Sequence, residues 1–291
     1  MIDVSSLRGM PIEVVDVFAP GPLEGNALAV VQADRMPPAE LRQAIARETN
    51  LAETTFVATQ PDEDGHWPVH IHTTAEELPF AGHPTLGTAW VIRERNGLEG
   101  DQVVLATGKG PVAVRFEARG PGARAWLTAP EVKLEAIDPE PWIAALGLAA
   151  GDADDARFPC SLVDVGPRFA VLAVAERARL AALYPDGVAL QAQLERRRAT
   201  GVLIVSPAGP GEGDLAARMF FEAGGVREDP ATGSANAGLA ALLQSVGVTG
   251  RVDVTQGVEM QRTSKLSLEI ASAWIEVGGA VWPAYAGHLF C

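Results

Sequence analysis

Short apolar runs, broken by glycine, proline and asparagine, recur along the whole chain. Runs of this length that are rich in valine, isoleucine and threonine are typical of β-strands. We predict strands in the first half over 12–18, 27–31, 54–58 and 69–73, and in the second half over 162–165, 169–174, 202–205 and 218–221. Apolar residues at helical spacing predict helices over 37–46, 85–95 and 234–246.

Two short motifs occur once in each half of the chain. The segment His83–Ala89 reads His-Pro-Thr-Leu-Gly-Thr-Ala, and Asp229–Ala235, 146 positions later, reads Asp-Pro-Ala-Thr-Gly-Ser-Ala. Val15-Asp16-Val17 and Val163-Asp164-Val165 match at a spacing of 148. Two matches at nearly equal spacing indicate an internal repeat and hence two domains of one fold. We place the domains at 1–128 and 129–291, with the last strand able to return to the first domain.

In both copies of the longer motif, a turn with proline and glycine leads into an apolar helix. The first N–H groups of a helix have no partner within it, so this end binds carboxylate or phosphate without lysine or arginine. Gly82, Gly233 and Ser234 are the candidate substrate-binding residues. The alternative is a pair of ordinary capped helix starts, but the titratable residues His83 and Asp229 favour a function. If the two starts face each other, the site lies in a cleft between the domains.

Glu53 is the third candidate, at the beginning of an apolar strand and directly after a predicted helix end. A carboxyl group between Leu51-Ala52 and Phe56-Val57 is expected to be partly desolvated. Desolvation favours the protonated form and suits such a group to general acid–base catalysis. A solvated glutamate at the end of a strand is the alternative that this position leaves open.

The charge balance narrows the range of partners. The chain has 23 lysines and arginines against 37 aspartates and glutamates, a formal net charge of −14. Nucleic acids and anionic membranes would be repelled, whereas a small anion responds to the local field of its site. No apolar run is long enough for a membrane span. The two cysteines, Cys160 and Cys291, are too few for a disulfide framework, which predicts a reducing, cytoplasmic location.

Several cofactor classes can be set aside from the residues alone. Lys109, Lys133 and Lys265 all read as surface positions, which argues against pyridoxal phosphate chemistry. His70 and His72 share a strand face, but no cysteine or paired carboxylate completes a metal site with them. No strand–turn–helix segment carries the glycines of a dinucleotide site. We therefore expect no cofactor and no metal.

Four segments together resemble the signatures of the PhzF-like isomerases, the phenazine-biosynthesis-like family. They are Gly25-Asn26-Ala27-Leu28-Ala29-Val30, Glu53-Thr54-Thr55-Phe56-Val57, Glu77-Leu78-Pro79-Phe80-Ala81-Gly82-His83-Pro84, and Gly225-Val226-Arg227-Glu228-Asp229-Pro230-Ala231-Thr232-Gly233-Ser234-Ala235. They occur in family order, so the resemblance spans nearly the whole chain. Two positions depart from the usual pattern, since Ala27 replaces proline and Ala52 replaces serine.

The resemblance implies an α+β fold like that of diaminopimelate epimerase. This fold has two pseudo-symmetric domains, each a β-barrel-like sheet wrapped around a central helix. It also implies a cofactor-independent isomerase in which Glu53, aided by His83 and Asp229, moves a proton and a double bond in a small carboxylic acid, and by analogy a homodimer. A non-catalytic metabolite-binding protein and a carboxylate-based epimerase or racemase stay open as alternatives. The two thiols of a cysteine racemase are absent from these turns.

Overall fold

The computed structural model describes residues 7–149, 151–222 and 225–290. They form two compact units, one made of the residues up to Leu127 together with those from Gly278 onwards, the other of Thr128–Val277. The sequence-based boundary at 128/129 lies one residue from the first of these divisions, and the C-terminal segment belongs with the first unit.

The strands and helices are numbered in chain order. The first part of the chain contains β1 (Pro11–Val17), β2 (Asn26–Ala33), α1 (Ala39–Thr49), β3 (Glu53–Ala58), β4 (Trp67–His72), β5 (Glu77–Leu78), α2 (Gly82–Arg95), β6 (Gln102–Thr107), β7 (Gly110–Phe116) and β8 (Ala123–Thr128). The rest contains β9 (Lys133–Ala136), α3 (Glu140–Ala145), β10 (Ser161–Asp164), β11 (Arg168–Ala173), α4 (Arg177–Ala181), α5 (Gly187–Arg197), β12 (Gly201–Pro207), β13 (Leu215–Glu222), β14 (Val226–Asp229), α6 (Gly233–Ser245), β15 (Gly250–Gln256), β16 (Ser264–Ile270) and β17 (Ile275–His288).

Eight strands of the first unit pair into a closed ring. The order around the ring is β1, β2, β3, β4, β6, β7, β8 and β17, and β17 pairs with β1. Two pairs are parallel, β2 with β3 and β4 with β6, and a parallel pair requires a crossover connection. The connections are α1 and α2, so both helices follow from the topology of the sheet.

The second unit repeats the pairing of the ring strands β1, β2, β3, β4, β6 and β7 in its own strands β10, β11, β12, β13, β15 and β16. β10 and β11 are antiparallel, β11 and β12 parallel, β12 and β13 antiparallel, β13 and β15 parallel, and β15 and β16 antiparallel. The short strands β5 and β14 take equivalent places, each antiparallel to the strand before it. The predicted fold class is confirmed: an α+β chain of two pseudo-symmetric domains, each with a sheet around a central helix.

The central helices α2 and α6 are buried on every side. In α2 each residue from His83 to Arg93 is buried, and in α6 each residue from Ala235 to Leu243. A helix that is apolar all round belongs in a core, which is why neither has a polar face. α2 packs against β1, β2, β3, β6 and β7 of its ring, and α6 against β10, β11 and β16.

One glycine in each central helix allows the helix to approach the sheet closely. A Cβ atom at Gly87 would lie 2.7 Å from Leu28 Cδ2 and 2.8 Å from Val17 Cγ2. A Cβ atom at Gly238 would lie 2.8 Å from Val163 Cβ. Both glycines come five residues after the first residue of their helix. The structural repeat therefore aligns residues 151 positions apart in this region.

This alignment corrects the motif match made from the sequence. The spacing of 146 matched Gly87, inside α2, with Gly233, the first residue of α6. His83 and Asp229 are consequently not counterparts: His83 is the second residue of α2, whereas Asp229 is the last residue of β14, before its helix begins. The true counterpart of His83 is Ser234. A glycine followed by small residues is found both at a helix start and where a helix packs closely on a strand. The similar motifs therefore matched two residues that are not structural counterparts.

Most predicted elements are present with shifted ends. Every predicted strand overlaps an observed strand, and the helices predicted over 37–46 and 234–246 are α1 and α6. The helix predicted from Thr85 begins three residues earlier, at Gly82. Pro84 is tolerated there because the first turn of a helix has no use for a proline N–H.

We predict that Gly238→Ala destabilises the protein. Alanine normally stabilises a helix relative to glycine by about 1 kcal/mol, but here its methyl group collides with the stiff side chain of Val163 in β10. Overpacking of this kind costs about 1–3 kcal/mol, which urea denaturation measures as a lower midpoint. The control is Gly151→Ala, at a position where a Cβ atom meets nothing within 4 Å. An equal or higher midpoint for Gly238→Ala would show that α6 does not pack as described.

Candidate active site

Glu53 is placed by the first residues of β3 and by the turn that precedes them. Asn50, the residue that ends α1, has a left-handed backbone with a φ of 51°, and the chain reverses there into the strand. Two residues after Glu53, Thr55 forms a buried hydrogen bond to Thr88 of α2, with 2.7 Å between the hydroxyl oxygens. Because alternate residues of a strand share a face, Glu53 points to the same side as Thr55, towards α2.

The partner that Glu53 meets on α2 is His83. Glu53 Oε2 lies 3.6 Å from His83 Nε2, and the two side chains are 17% and 7% exposed. His83 Nε2 is buried, and within the described residues it neither donates nor accepts a hydrogen bond. The structure thus brings together two of the three residues predicted to be catalytic, in a setting largely shielded from water.

Burial determines the charge of His83. Desolvation lowers the pKa of this imidazole from 6.5 to about 3, because a charged ring would lose its hydration without an equivalent replacement. His83 is therefore neutral near pH 7. Glu53 faces an uncharged imidazole that can donate or accept one proton, rather than an imidazolium that would form a fixed ion pair.

The first turns of the two central helices lack side-chain caps. Ala81 precedes α2 at the N-cap position, and Thr232 precedes α6, but neither side chain bonds to its helix. The candidate binding residues Gly82, Gly233 and Ser234 form the first turns and are partly accessible. Their N–H groups carry the positive end of the helix dipole, so each start is suited to bind a carboxylate.

Asp229 lies in the second unit, half-buried at the end of β14. Its carboxylate oxygen Oδ2 accepts a hydrogen bond from the hydroxyl of Thr232. Its main-chain carbonyl accepts one from Gln256 Nε2 at 2.8 Å. Joint action of Asp229 with the pair in the first unit is a prediction.

A glutamate–arginine ion pair anchors the segment before each central helix. Glu77 accepts from Arg42 Nη2 at 3.0 Å, and Glu228 accepts two bonds from Arg218, at 2.7 and 2.9 Å. Both glutamates come five residues before the first residue of their helix. Burial raises the pKa of Glu77, but hydrogen bonds from His70 and Arg42 outweigh it and lower the pKa overall. These anchors hold the turns that carry the candidate residues.

Known proteins resemble this chain over most of its length. The family model described as PhzC-PhzF, phenazine biosynthesis-like protein, matches residues 15–280. The chain belongs to this family. The trans-2,3-dihydro-3-hydroxyanthranilate isomerase of Pseudomonas fluorescens is 37% identical over 86% of this chain and 87% of its own length. The protein of the same name from Pseudomonas aeruginosa is 35% identical over 87% of each chain.

A solved structure shares the fold. A predicted epimerase from Pseudomonas aeruginosa superposes with a TM-score of 0.83 and 28% identity, covering 97% of this chain and 99% of the other. With curated isomerases as relatives over most of its length, this PhzC-PhzF family member is an enzyme of the isomerase class.

Two further groups of residues lie where the sequence predicts them, the surface lysines and the histidines of β4. Lys109, Lys133 and Lys265 are exposed, as predicted. His72, expected to be a strand residue beside His70, accepts from Arg42 Nε at 3.1 Å and bonds to a glutamine through its other nitrogen, and burial lowers its pKa. Among the helices of the described ranges, none is both long and apolar enough to cross a bilayer.

Cys160 does not supply a reactive thiol in this family member. Burial raises the pKa of the Cys160 thiol to about 12, so the thiolate needed for proton abstraction is scarce near pH 7. Cys291 lies outside the described residues. The expectation from sequence that two-thiol chemistry is disfavoured therefore gains a physical reason at position 160.

Sequence reasoning missed the residues that support Asp229. Thr232 lies inside the quoted motif, but the sequence does not distinguish it from an ordinary helix cap. Gln256 had a weaker signal: it continues the alternation of Val252 and Val254 on β15, which places a polar residue on the buried side of the strand. A polar side chain at an apolar period is a sign of a buried hydrogen-bond network.

We predict that His83 weakens the fold in acid. An unfolded histidine takes up a proton near pH 6.5, whereas folded His83 does so only near pH 3. Between these values the unfolded state binds more protons, so stability is lost as the pH falls, by up to about 1.4 kcal/mol per pH unit from this group. His83→Asn removes this contribution, and urea denaturation between about pH 4 and pH 7 should show a flatter decline than the wild type. Parallel curves would show that His83 is not buried in its neutral form.

Proposed function

We propose that this chain is a cofactor-independent isomerase that moves a proton, and with it a double bond, in a small unsaturated carboxylic acid. The observation that carries the proposal is the partly buried Glu53 carboxyl group 3.6 Å from a histidine that burial keeps neutral. Proton abstraction from carbon needs a base shielded from water and held in one place. The 17% exposure of Glu53 and its position beside His83 support this role.

The proposed reaction requires no co-reactant. Glu53 takes a proton from the carbon beside the alkene, and the electrons of the broken C–H bond form the new double bond. The electrons of the old double bond take up a proton at its far end. His83 receives the proton from Glu53 or returns it, so that the pair delivers it to the new carbon. One proton leaves and one arrives, which makes the net change an isomerisation.

The substrate carboxylate is proposed to bind to main-chain N–H groups. The uncapped first turns at Gly82 and at Gly233-Ser234 supply such donors, and the three lysines of the chain are exposed. Asp229 is proposed as a second acid–base group that protonates or deprotonates the same substrate. The names of the relatives make trans-2,3-dihydro-3-hydroxyanthranilate the first substrate to test. A homodimer in the cytoplasm remains the prediction for the assembly.

An epimerase is the second candidate, because the neighbour with a TM-score of 0.83 is named a predicted epimerase. An epimerase returns the proton to the carbon that lost it, on the opposite face, and leaves the double bonds in place. Proton NMR of the product separates the two reactions, since only the isomerase changes the number of hydrogens on two carbons.

We predict that Glu53→Gln lowers kcat by at least about a hundredfold, because an amide cannot accept a proton from carbon. The matched control is Glu48→Gln, an exposed glutamate on α1 that should leave kcat unchanged. The assay follows the absorbance of trans-2,3-dihydro-3-hydroxyanthranilate, and thermal shift with the same compound shows that Glu53→Gln still binds. Full activity of the Glu53 variant would refute the assignment of the base.

We predict that a variant without cysteine, Cys160→Ala with Cys291→Ala, retains turnover within about threefold, since a thiol with a pKa near 12 is not a base near pH 7. Treatment with iodoacetamide, which alkylates reactive thiols, provides an independent readout. Turnover by the wild type should persist after this treatment. Loss of turnover in a variant that still unfolds cooperatively would favour thiol chemistry over the carboxylate mechanism.

A further inference from the structure

Thr232 occupies the N-cap position of α6 without capping it. A threonine at this position usually accepts a hydrogen bond from an N–H of the first turn. Here the hydroxyl instead donates to Asp229 Oδ2, three residues back along the chain. Because the hydroxyl donates to Asp229, the first turn of α6 has no side-chain cap. The Asp229 carboxylate has a donor within its own turn.

Gln256 determines the direction of the Thr232 hydroxyl. Its amide Nε2 donates to Asp229 O at 2.8 Å and to Thr232 Oγ1 at 3.3 Å. Since the N–H of Gln256 is directed at the hydroxyl oxygen, the hydroxyl hydrogen is left to point at the carboxylate. The chain of donors runs from Gln256 to Thr232 and on to Asp229.

The opposite end of the Gln256 amide fixes its orientation. Gln256 Oε1 accepts from Asn236 Nδ2 at 3.0 Å and from the Thr232 main-chain N at 3.4 Å. Asn236 Nδ2 also donates to Thr232 O at 3.0 Å, so its own orientation is fixed as well. A flipped Gln256 amide would place its oxygen against Asp229 O and its nitrogen against two donors. The network therefore has one arrangement in which donors meet acceptors.

Burial makes this arrangement rigid. Gln256 and Asn236 are both 0% exposed, so water cannot substitute for a lost partner. Gly257, the next residue, has a φ of 78°, and a Cβ atom there would lie 2.8 Å from Pro230 O. The chain after β15 thus packs directly on the turn that follows Asp229.

We propose that Thr232 and Gln256 are positioning residues that hold the Asp229 carboxylate in one orientation for proton transfer. The inference rests on the proposed function, in which Asp229 is an acid–base group. The Thr232 hydroxyl donates to Asp229 and does not cap α6, and Gln256 sets the direction of the hydroxyl. Neither residue needs to touch the substrate.

The test replaces the hydroxyl while keeping the shape of the side chain. Thr232→Val removes the donor to Asp229, and we expect kcat for trans-2,3-dihydro-3-hydroxyanthranilate to fall by about tenfold or more with KM changed less than about twofold. Thr232→Ser keeps the hydroxyl and should restore kcat to within about threefold of the wild type. The matched control is Thr255→Val, a buried neighbour on β15 whose hydroxyl donates to the main-chain oxygen of Glu212; its kcat should be unchanged.

A double-mutant cycle separates positioning from a general loss of structure. If Thr232 acts through Asp229, adding Thr232→Val to Asp229→Asn causes no further loss of kcat, whereas independent effects would multiply. A full additional loss, or an unchanged kcat in the single variant Thr232→Val while Asp229→Asn is impaired, overturns the positioning role and leaves the proposed function intact. Full activity of Asp229→Asn instead removes Asp229 from the mechanism.

A structural readout decides the case without turnover. High-resolution crystal structures should show one Asp229 conformer in the wild type and in Thr232→Ser, and more than one in Thr232→Val. A single, unmoved conformer in Thr232→Val contradicts the proposal. If the wild type does not convert the test compound, the choice of substrate fails, and the conformers of Asp229 alone decide whether Thr232 and Gln256 position it.

Discussion

The chemistry of this protein depends on enclosing a helix within a ring of strands. A helix in that position has no solvent face, so its side chains must be apolar, small or satisfied by neighbours, and its ends are the places where polar groups remain. In the first unit the enclosed helix α2 brings His83 into a buried setting beside Glu53, 3.6 Å away. The same enclosure keeps the imidazole neutral, so the two groups do not form a permanent ion pair.

The two units use one scaffold for different purposes. Both place a glycine five residues into the central helix for close packing on a strand, and both anchor the preceding segment with a glutamate–arginine pair. At the helix start they diverge: Ala81 has no side chain that could cap α2, whereas Thr232 has a hydroxyl and directs it to Asp229. The repeat therefore preserves the framework and a helix start without a side-chain cap, while the titratable residues occupy different positions.

Much of the fold could be predicted from the sequence, because strand and helix periodicities are local and the repeat appears in the letters. The register of the repeat could not, since Gly87 and Gly233 sit in similar short motifs but serve helix packing and a helix start respectively. Glu53 was proposed from its position at the beginning of an apolar strand and His83 from the repeated motif, and the family resemblance then pointed to the same two residues. Gln256 was missed because its role depends on a contact between β15 and the turn after β14, which are more than twenty residues apart in the chain.

The most direct test of the account is the fate of the hydrogen on the carbon beside the alkene. A substrate deuterated at that carbon should lose the label during turnover by the wild type, and the product should have gained one hydrogen or deuterium at the far end of the shifted double bond. Mass spectrometry and NMR of the product measure both positions. Retention of all label at the original carbon while product accumulates would contradict proton abstraction there, and with it the role assigned to Glu53.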